Sequence, residues 1–299
     1  MTDESTGPGP EPVGWTDADV TVAGRWTYAW ADRKRPHLHP VTTPAGHVLT
    51  RDAPDDHPWH HGLWFAVKFV DGDNFWEEVP PYGVVRHDGR PEVEIGDDGT
   101  VTLAGTLHWI RGDRTTLAIT EHRRLTHVPL ADRVDEGGSG AYAIDLDTTL
   151  VAAADVRLDR TPFTTWGGYG GLTLRGAADL VDTRLLLADG SEHDRLLGTP
   201  SPWCDLSGTV TAGGASAPAG LALFDNPDNP RFPTPFYAST FDGYGEGAWT
   251  NFFNAAFLFD DGMDLAAGDQ LRIRHRALVH DGQWPTARLQ SEWDAWAAT

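Results

Sequence analysis

The chain is poor in several residue types, and each scarcity excludes a class of protein. It has one cysteine, Cys204, among 299 residues, so it cannot form an internal disulfide, which is typical of a reducing compartment. Its 23 Lys and Arg are outnumbered by 44 Asp and Glu, and the net charge of -21 repels phosphate backbones and anionic lipids. We therefore expect a cytoplasmic protein with no nucleic-acid partner and no membrane partner.

Long apolar runs are also missing. Stretches such as residues 63–70 are far shorter than the ~20 residues that a membrane-spanning helix needs. Residues 1–19 are acidic and rich in Pro and Gly, without the basic and apolar regions of a secretory signal. We interpret them as a disordered leader. Residues 20–299 are predicted to form a single domain, because no interior linker separates two units.

The sequence does contain many short segments in which apolar and polar residues alternate between turn residues. Such a period of two is typical of antiparallel strands. The clearest examples are residues 101–110, 117–125, 142–150 and 271–279. Helical spacing appears only at the end, where Leu289, Trp293 and Trp296 follow Pro285. The pattern predicts an all-β protein, an antiparallel β-sandwich with a short C-terminal helix packed on it.

Histidine is concentrated in one stretch of the chain. Six of the 13 histidines lie within residues 35–64. His37 and His39 are two residues apart, so they share one side of an extended strand. His57, His60 and His61 lie in a loop bounded by Pro and Gly. We predict that these five imidazoles converge in one pocket.

Imidazole is the commonest metal ligand and the usual acid or base near neutral pH. We therefore predict His60 or His61 as the principal acid or base. His37, His39 and His57 are the candidate ligands of a divalent metal. Alternatively, the histidines are structural and stack with neighbouring tryptophans, since their spacing is not specific to one metal.

A charged pair interrupts one predicted strand. In residues 117–125 the alternation places Glu121 and Arg123 on the apolar face. Burial raises the pKa of a carboxyl group toward the range useful for acid–base catalysis. Glu121 is therefore the candidate carboxylate partner of the catalytic histidine. A structural Glu121–Arg123 pair, or an exposed strand end, explains the pattern equally well.

Aromatic and glycine-rich segments form a third feature. The chain has 13 Trp, and residues 165–171 and 224–237 combine aromatic rings with Gly, Asn, Asp and Pro. Sugars stack on rings while polar side chains bind their hydroxyls. The candidate residues for binding a saccharide are Trp59, Trp166, Tyr169, Arg175 and Asn226. The competing interpretation is that most of these rings fill the core.

The motifs taken together resemble the PmoA-like family. The resemblance is most specific at residues 35–47, 56–65 and 74–76, and it covers most of residues 25–284. Trp59 stands where the family usually has histidine. The family takes its name from a membrane methane oxygenase, but its members are soluble bacterial proteins linked to carbohydrate use. The last strands also resemble the sandwich of sugar mutarotases, an analogy at the level of fold.

These observations predict an intracellular carbohydrate-active enzyme. It would be a lyase, hydrolase or epimerase that acts on a sugar or an oxidised glycoside by histidine and carboxylate acid–base chemistry, with or without a divalent metal. Its partner would be a small-molecule carbohydrate, and homo-oligomerisation is left open. The alternative is a non-catalytic saccharide-binding or scaffold domain in which the histidine cluster is structural.

Overall fold

The protein is described by a computed structural model over residues 12–31, 33–130, 140–161, 169–212, 215–240 and 250–299. Strands are numbered β1 to β23 in chain order, and all pairings between them are antiparallel. The nine-stranded sheet runs in the order β1 (Val13–Trp15), β2 (Asp19–Val22), β3 (Trp26–Ala29), β4 (His37–Val41), β5 (Leu63–Val67), β14 (Gly170–Arg175), β21 (Phe252–Ala255), β20 (Pro235–Ser239) and β17 (Arg195–Pro200).

A ten-stranded sheet packs against it. Its order is β16 (Glu192–His193), β15 (Leu180–Leu187), β18 (Trp203–Ala212), β19 (Ala215–Asp225), β23 (Gln270–Asp281), β12 (Ala141–Ala152), β11 (Leu117–Pro129), β10 (Val101–Ile110) and β8 (Val84–His87), with β9 (Glu92–Ile95) also paired to β10. A small sheet consists of β22 (Met263–Leu265), β13 (Val156–Asp159), β6 (Phe69–Val70) and β7 (Asp73–Asn74).

The predicted antiparallel β-sandwich is confirmed. The four segments with the clearest alternation are β10, β11, β12 and β23, and they lie side by side in the ten-stranded sheet. Along β10 the buried residues alternate with partly exposed ones over most of the strand, because one face packs on the core. The period of two in the sequence therefore indicates a sheet that is buried on one face.

The main hydrophobic core lies between the two large sheets. Leu38, Phe65 and Leu174 contribute from the nine-stranded sheet, and Leu107 and Ile144 from the ten-stranded sheet. Each such side chain contributes about 1.5–3 kcal/mol on full burial. This cluster is continuous and contains residues of both sheets, which it joins face to face.

The central strands β5 and β14 are buried along their whole length. Their inner face packs on the main core. Their outer face carries Trp64, Ala66 and Arg175, of which the first two belong to a separate aromatic cluster. A second buried layer therefore covers the outside of the nine-stranded sheet.

The C-terminal helix α1 (Thr286–Ala297) follows Pro285 and packs on the outer face of the ten-stranded sheet. Leu289 and Trp296 lie in a cluster with sheet residues, and the Trp293 Nε1–H donates to the Asp225 carbonyl at 2.9 Å. The predicted helix is thus present. Among the described residues, no helix is both long and apolar enough to cross a membrane.

One boundary needs correction. Strand β1 (Val13–Trp15) and the first residue of β2 fall inside the segment predicted to be a disordered leader. Val13 pairs with Val22, and the Arg90 guanidinium lies 3.5 Å from the centre of the Trp15 ring. Pairing with β2 orders this segment in spite of its polar composition. Residues 1–11 lie outside the described part of the chain.

Candidate functional site

The candidate site lies on the outer face of the nine-stranded sheet. Along β4, Leu38 joins the main core, so His37 and His39 take the opposite face. Along β14, Leu174 likewise joins the core and leaves Arg175 on the outer side. The alternation of neighbouring strands therefore places basic side chains and aromatic rings on one surface.

Gly62 holds the histidine loop against this surface. Its φ of +57° lies in the left-handed region, and a Cβ here would stand 2.3 Å from the Leu38 carbonyl oxygen. The Gly62 N–H donates to the Arg51 carbonyl at 3.0 Å, and the Arg175 N–H donates to the Gly62 carbonyl at 2.7 Å. Only glycine allows this close approach. The backbone turn at Gly62 therefore positions His60 and His61 immediately before β5.

His61 lies between two carboxylates. Its Nδ1 is 2.8 Å from Asp52 Oδ1, and its Nε2 is 3.0 Å from Glu78 Oε1. Both contacts are hydrogen bonds from a ring N–H, so the ring is a cation in this arrangement. Burial lowers the pKa of His61, but the bonds to Asp52 and Glu78 outweigh it and hold the pKa above 6.5.

His37 completes this group, which we call the His61 cluster: His37, Asp52, His61 and Glu78. The His37 and His61 rings stack with centroids 4.7 Å apart. His37 Nδ1 donates to the Arg35 carbonyl at 3.2 Å, and its Nε2 lies 3.6 Å from Asp52 Oδ1. Burial, with a contribution from the His61 charge, lowers the pKa of His37 to about 4.

Two basic residues also lie close to Glu78. Lys34 Nζ bonds to Glu78 Oε2, and Arg35 Nη2 lies 3.9 Å from Oε1. Burial raises the pKa of Glu78, but the bonds from His61 and Lys34 bring it to about 2. Arg35 is itself buried and donates from Nη2 to the Trp76 carbonyl at 2.5 Å. Glu78 is therefore ionised and fixed in place.

Asp56 and His57 form a second unit, which we call the His57 dyad. His57 Nδ1 lies 2.7 Å from Asp56 Oδ2, and Arg175 Nη2 donates to the same oxygen at 2.8 Å. Burial raises the pKa of Asp56, but the bonds from His57 and Arg175 keep it below the ordinary value. The carboxylate is therefore ionised and holds the imidazole from one side.

His60 links the His57 dyad to the aromatic cluster. Its ring stacks on His57 with centroids 4.6 Å apart, and Arg175 Nη1 lies 3.1 Å from its Nδ1. His60 is 1% exposed, and this burial lowers its pKa well below 6.5. The ring is therefore neutral, unlike that of His61.

A group of aromatic rings lies against His60 and His57. Trp64 and Phe252 flank His60, and Trp76 stacks on Tyr169 with centroids 4.8 Å apart. Trp59, which is only partly buried, meets His57 edge to face at 5.5 Å. Most of these rings are buried, whereas Trp59 is partly exposed, so a ligand can contact it.

The structure brings most of the predicted site residues together. His37, His39, His57, His60 and His61 share the outer face with Tyr169, Arg175 and Trp59. Trp166 lies outside the described residues. His39 is set apart from the other predicted metal ligands, because its Nδ1 bonds to Thr50 Oγ1 at 2.9 Å.

Glu121 is not part of this site. It is completely buried on β11, where its carboxylate accepts hydrogen bonds from Arg123 at 2.6 Å, Trp109 Nε1 at 2.7 Å and Thr148 Oγ1 at 2.6 Å. None of these partners belongs to the histidine segment. The structural alternative, a Glu121–Arg123 ion pair inside the sandwich, is what the geometry shows.

Asn226 also has its bonding partners outside the histidine segment. It lies after β19, where its Oδ1 accepts from Arg274 Nη2 at 2.7 Å and from the Asp228 N–H at 3.0 Å. These bonds order a loop at the end of the ten-stranded sheet. The long loop rich in Asn, Asp and Pro is thus explained by turn formation.

Sequence reasoning missed the acidic members of the site, Asp52, Asp56 and Glu78. The sequence offered one signal for Glu78, the nearby Asn74. In the structure its Oδ1 accepts from the N–H groups of Trp76 and Glu77 at 2.8 and 3.0 Å. An Asn at the start of a turn is a common device for fixing the residues after it. Asp52 and Asp56 carry no such signal in the sequence.

An open cavity of about 680 Å³ lies elsewhere, against the outer face of the ten-stranded sheet. Arg90, Arg124 and Arg272 line it together with Asp88 and Asp147. Arg272 forms an ion pair with Asp147, and the Arg90 guanidinium lies over the Trp15 ring. The histidine segment is kept as the candidate site, because several buried imidazoles and carboxylates with shifted pKa values lie together there.

Solved structures with a similar fold are distant from this chain. A galactose 1-epimerase from Lactobacillus acidophilus NCFM has a TM-score of 0.38 at 10% identity, over 89% of this chain and 94% of the epimerase. An α-galactosidase from Lactobacillus brevis has a TM-score of 0.31 at 10% identity, over 90% of this chain and 39% of the enzyme.

No curated protein matches the chain in sequence. The profile of a family described as a family of unknown function, DUF6807, matches residues 17–294. This match corrects the resemblance to the PmoA-like family, which was based on short His-, Pro- and Gly-rich motifs. Such motifs are too brief to assign a family on their own. Because the match covers nearly the whole chain, the protein is a member of the DUF6807 family.

Proposed function

We propose that the protein is an enzyme that moves a proton to or from a saccharide, with His57 as the base. The observation that carries this proposal is the His57 dyad, in which Arg175 and His57 both bond to Asp56 Oδ2. The dyad lies beside a partly exposed tryptophan on the outer face of the nine-stranded sheet.

The Asp56 carboxylate determines which nitrogen of His57 accepts the proton. Because the carboxylate accepts a hydrogen bond from Nδ1–H, the neutral ring has its lone pair on Nε2. A proton from a substrate hydroxyl or carbon would pass to Nε2, and the imidazolium so formed would be stabilised by Asp56. Return of the proton completes the cycle. Arg175 fixes Asp56 from the other side.

The neighbouring ring supports a saccharide as the substrate class. Trp59 meets His57 at 5.5 Å between ring centroids, so a ligand stacked on this ring would place its hydroxyl groups within reach of the dyad. Asp52, which is exposed, provides a further polar group on the same loop. Polar groups beside an aromatic ring match a polyhydroxylated ring better than an apolar ligand.

The pairing of the carboxylates favours epimerisation or elimination over hydrolysis. Most glycoside hydrolases use two carboxylic groups that flank the scissile bond. Here Asp52, Asp56 and Glu78 each form a hydrogen bond with a histidine. The histidines rather than a pair of carboxylates are therefore the groups that exchange protons with a substrate.

The proposal is tested by incubating the protein in D₂O with monosaccharides, glycosides and their keto derivatives, followed by NMR. Exchange of a C–H for deuterium detects abstraction of a carbon-bound proton. Interconversion of anomers or epimers detects an epimerase, and a new alkene signal detects a lyase. Release of a free sugar without these signals would contradict the favoured reaction class.

The residue assignment needs a matched pair of variants. His57→Ala removes the base, whereas His193→Ala removes an exposed histidine from β16. We expect His57→Ala to lose about 10²- to 10⁴-fold in turnover, as for a general base, and His193→Ala to retain full turnover. Full turnover in His57→Ala would contradict the assignment. Saccharide binding without turnover in the wild type would instead support the non-catalytic alternative.

A further inference from the structure

The His61 cluster is not used by the proposed base, yet it combines nitrogen and oxygen donors. His37, Asp52 and His61 each present one ligand atom, and the three atoms lie within 4.8 Å of one another. Two imidazoles and one carboxylate are a common donor set for divalent transition metals. The residues come from β4 and from two parts of the loop before β5.

The orientation of the two rings is the second observation. His37 uses Nδ1 to donate to the Arg35 carbonyl, and His61 uses Nε2 to donate to Glu78. In both rings the opposite nitrogen faces Asp52. Metal-binding histidines are typically held in this way, with the outer N–H bonded to a carbonyl or carboxylate.

The distances within the set also fit a single ion. Ligand atoms about 2.0–2.2 Å from one metal lie about 3.0–3.5 Å from each other in tetrahedral or octahedral geometry. Asp52 Oδ1 is 2.8 Å from His61 Nδ1 and 3.6 Å from His37 Nε2. These two distances are within a few tenths of an ångström of that range. All three ligand atoms lie within 4.8 Å of one another, so the two imidazoles need only move toward each other to bind one ion.

We propose that His37 Nε2, Asp52 Oδ1 and His61 Nδ1 bind one divalent transition-metal ion such as Zn²⁺. The ion takes the place of the proton between His61 and Asp52, which is released to solvent. Glu78 and the Arg35 carbonyl orient the two rings. Three protein ligands leave a coordination position for water or for a substrate oxygen.

Access and charge support the site. The Asp52 side chain is 34% exposed, so an ion can reach it from solvent. The nearby basic side chains have other partners, since Lys34 Nζ bonds to Glu78 and Arg35 Nη2 donates to the Trp76 carbonyl. The net charge of -21 attracts cations to the protein as a whole.

This ligand set differs from the one predicted from the sequence, which joined His37 to His39 and His57. In the structure His39 Nδ1 bonds to Thr50, and His57 Nδ1 bonds to Asp56. The two sets share only His37. Variants of the other histidines therefore distinguish them.

The experiment measures Zn²⁺ binding by calorimetry to protein that has been treated with a chelator. Asp52→Asn and His61→Ala remove proposed ligands, and Glu78→Gln alters an orienting partner. Asp55→Asn, an exposed neighbour with the same change of charge, is the matched control, together with His39→Ala and His57→Ala. Binding of Co²⁺ is followed in parallel by its visible absorption, which reports the coordination geometry.

We expect one Zn²⁺ per chain. Asp52→Asn and His61→Ala should weaken binding by at least about 100-fold and Glu78→Gln by about 10- to 100-fold, since orienting partners are worth that much. The three controls should retain wild-type affinity. Wild-type binding should raise the melting temperature, and this rise should vanish in Asp52→Asn.

Zn²⁺ affinity that survives in both Asp52→Asn and His61→Ala would overturn the proposal, as would binding lost equally in Asp55→Asn. Loss of binding in His39→Ala or His57→Ala, with Asp52→Asn unaffected, would restore the ligand set predicted from the sequence. If His61→Ala is unstable, Glu78→Gln and Asp52→Asn still decide the outcome. No saccharide is involved, so failure here leaves the proposed function untouched.

Discussion

The imidazoles of His60 and His61 serve different units although they are adjacent in the chain. His60 stacks on His57 with centroids 4.6 Å apart, whereas His61 stacks on His37 at 4.7 Å. Successive side chains of extended backbone point in opposite directions, which separates the two rings. The short histidine loop thus supplies a neutral ring to the His57 dyad and a charged ring to the His61 cluster.

The first prediction concerns Asp56→Asn. An Asn side chain can donate to Nδ1 of His57 and so favour the tautomer with the proton on Nε2, which cannot accept one from the substrate. We expect turnover to fall by about 10²-fold or more, with a smaller change in KM. Steady-state kinetics below the melting temperature measure both.

The control for that prediction is Asp55→Asn, which removes the same charge from an exposed neighbour. Its turnover should match that of the wild type. Asp56→Asn should also melt at a lower temperature, because the buried guanidinium of Arg175 loses its carboxylate. An equal loss of turnover in both variants would indicate a general effect of charge rather than the dyad.

The second prediction separates Trp59 from Trp76. Trp76 is 1% exposed and stacks on Tyr169, so Trp76→Ala should lower the free energy of unfolding by about 3–5 kcal/mol. Trp59 is partly exposed, so Trp59→Ala should weaken saccharide binding by about tenfold with little effect on stability. Denaturant unfolding and calorimetry measure the two effects, and unchanged saccharide affinity in Trp59→Ala would exclude this ring from the binding surface.

The third prediction concerns the buried Glu121–Arg123 pair. Glu121→Leu leaves the Arg123 charge inside the sandwich without its carboxylate, which should cost about 3–5 kcal/mol of stability. The double variant Glu121→Leu with Arg123→Met should recover much of this loss, because no unpaired charge remains. Turnover per folded molecule should stay at the wild-type level in both. A loss of turnover in the stable double variant would indicate that Glu121 has a catalytic role after all.

The fourth prediction is a pH dependence of stability caused by His127. Burial, with a contribution from Arg25, lowers its pKa to about 4, and Trp26 Nε1 donates to its Nδ1 at 3.3 Å. Between pH 6.5 and 4 the unfolded chain binds a proton at this residue and the folded chain does not. The free energy of unfolding should therefore fall as the pH falls through this window, by about 3 kcal/mol at most.

The variant that tests this is His127→Gln, which keeps an acceptor for Trp26 but does not titrate. Its melting temperature should fall less than that of the wild type between pH 7 and pH 4. His193→Gln, at an exposed position, should behave like the wild type. A slope in His127→Gln as steep as that of the wild type would assign the pH dependence to other groups.

Several features followed from the sequence alone. The period of two in residues 101–110 and 271–279 predicts half-buried strands, because alternation is a local property that each strand carries in its own residues. The spacing of Leu289, Trp293 and Trp296 predicts the terminal helix for the same reason. The concentration of histidine predicts a candidate site within residues 35–64, the segment that contains the His57 dyad and every member of the His61 cluster except Glu78.

The partners of those histidines were decided only by the tertiary structure. The pairing of β4, β5 and β14 and the backbone turn at Gly62 position the histidines. His61 then meets Glu78 from another part of the chain, and His57 bonds to Asp56, which Arg175 holds in turn. Glu121 shows the limit of local alternation. Alternation correctly placed this residue on the buried face of its strand, but it could not show that this face and the histidines lie in different parts of the protein. Side-chain pairing depends on contacts between distant segments, and local periodicity contains no information about them.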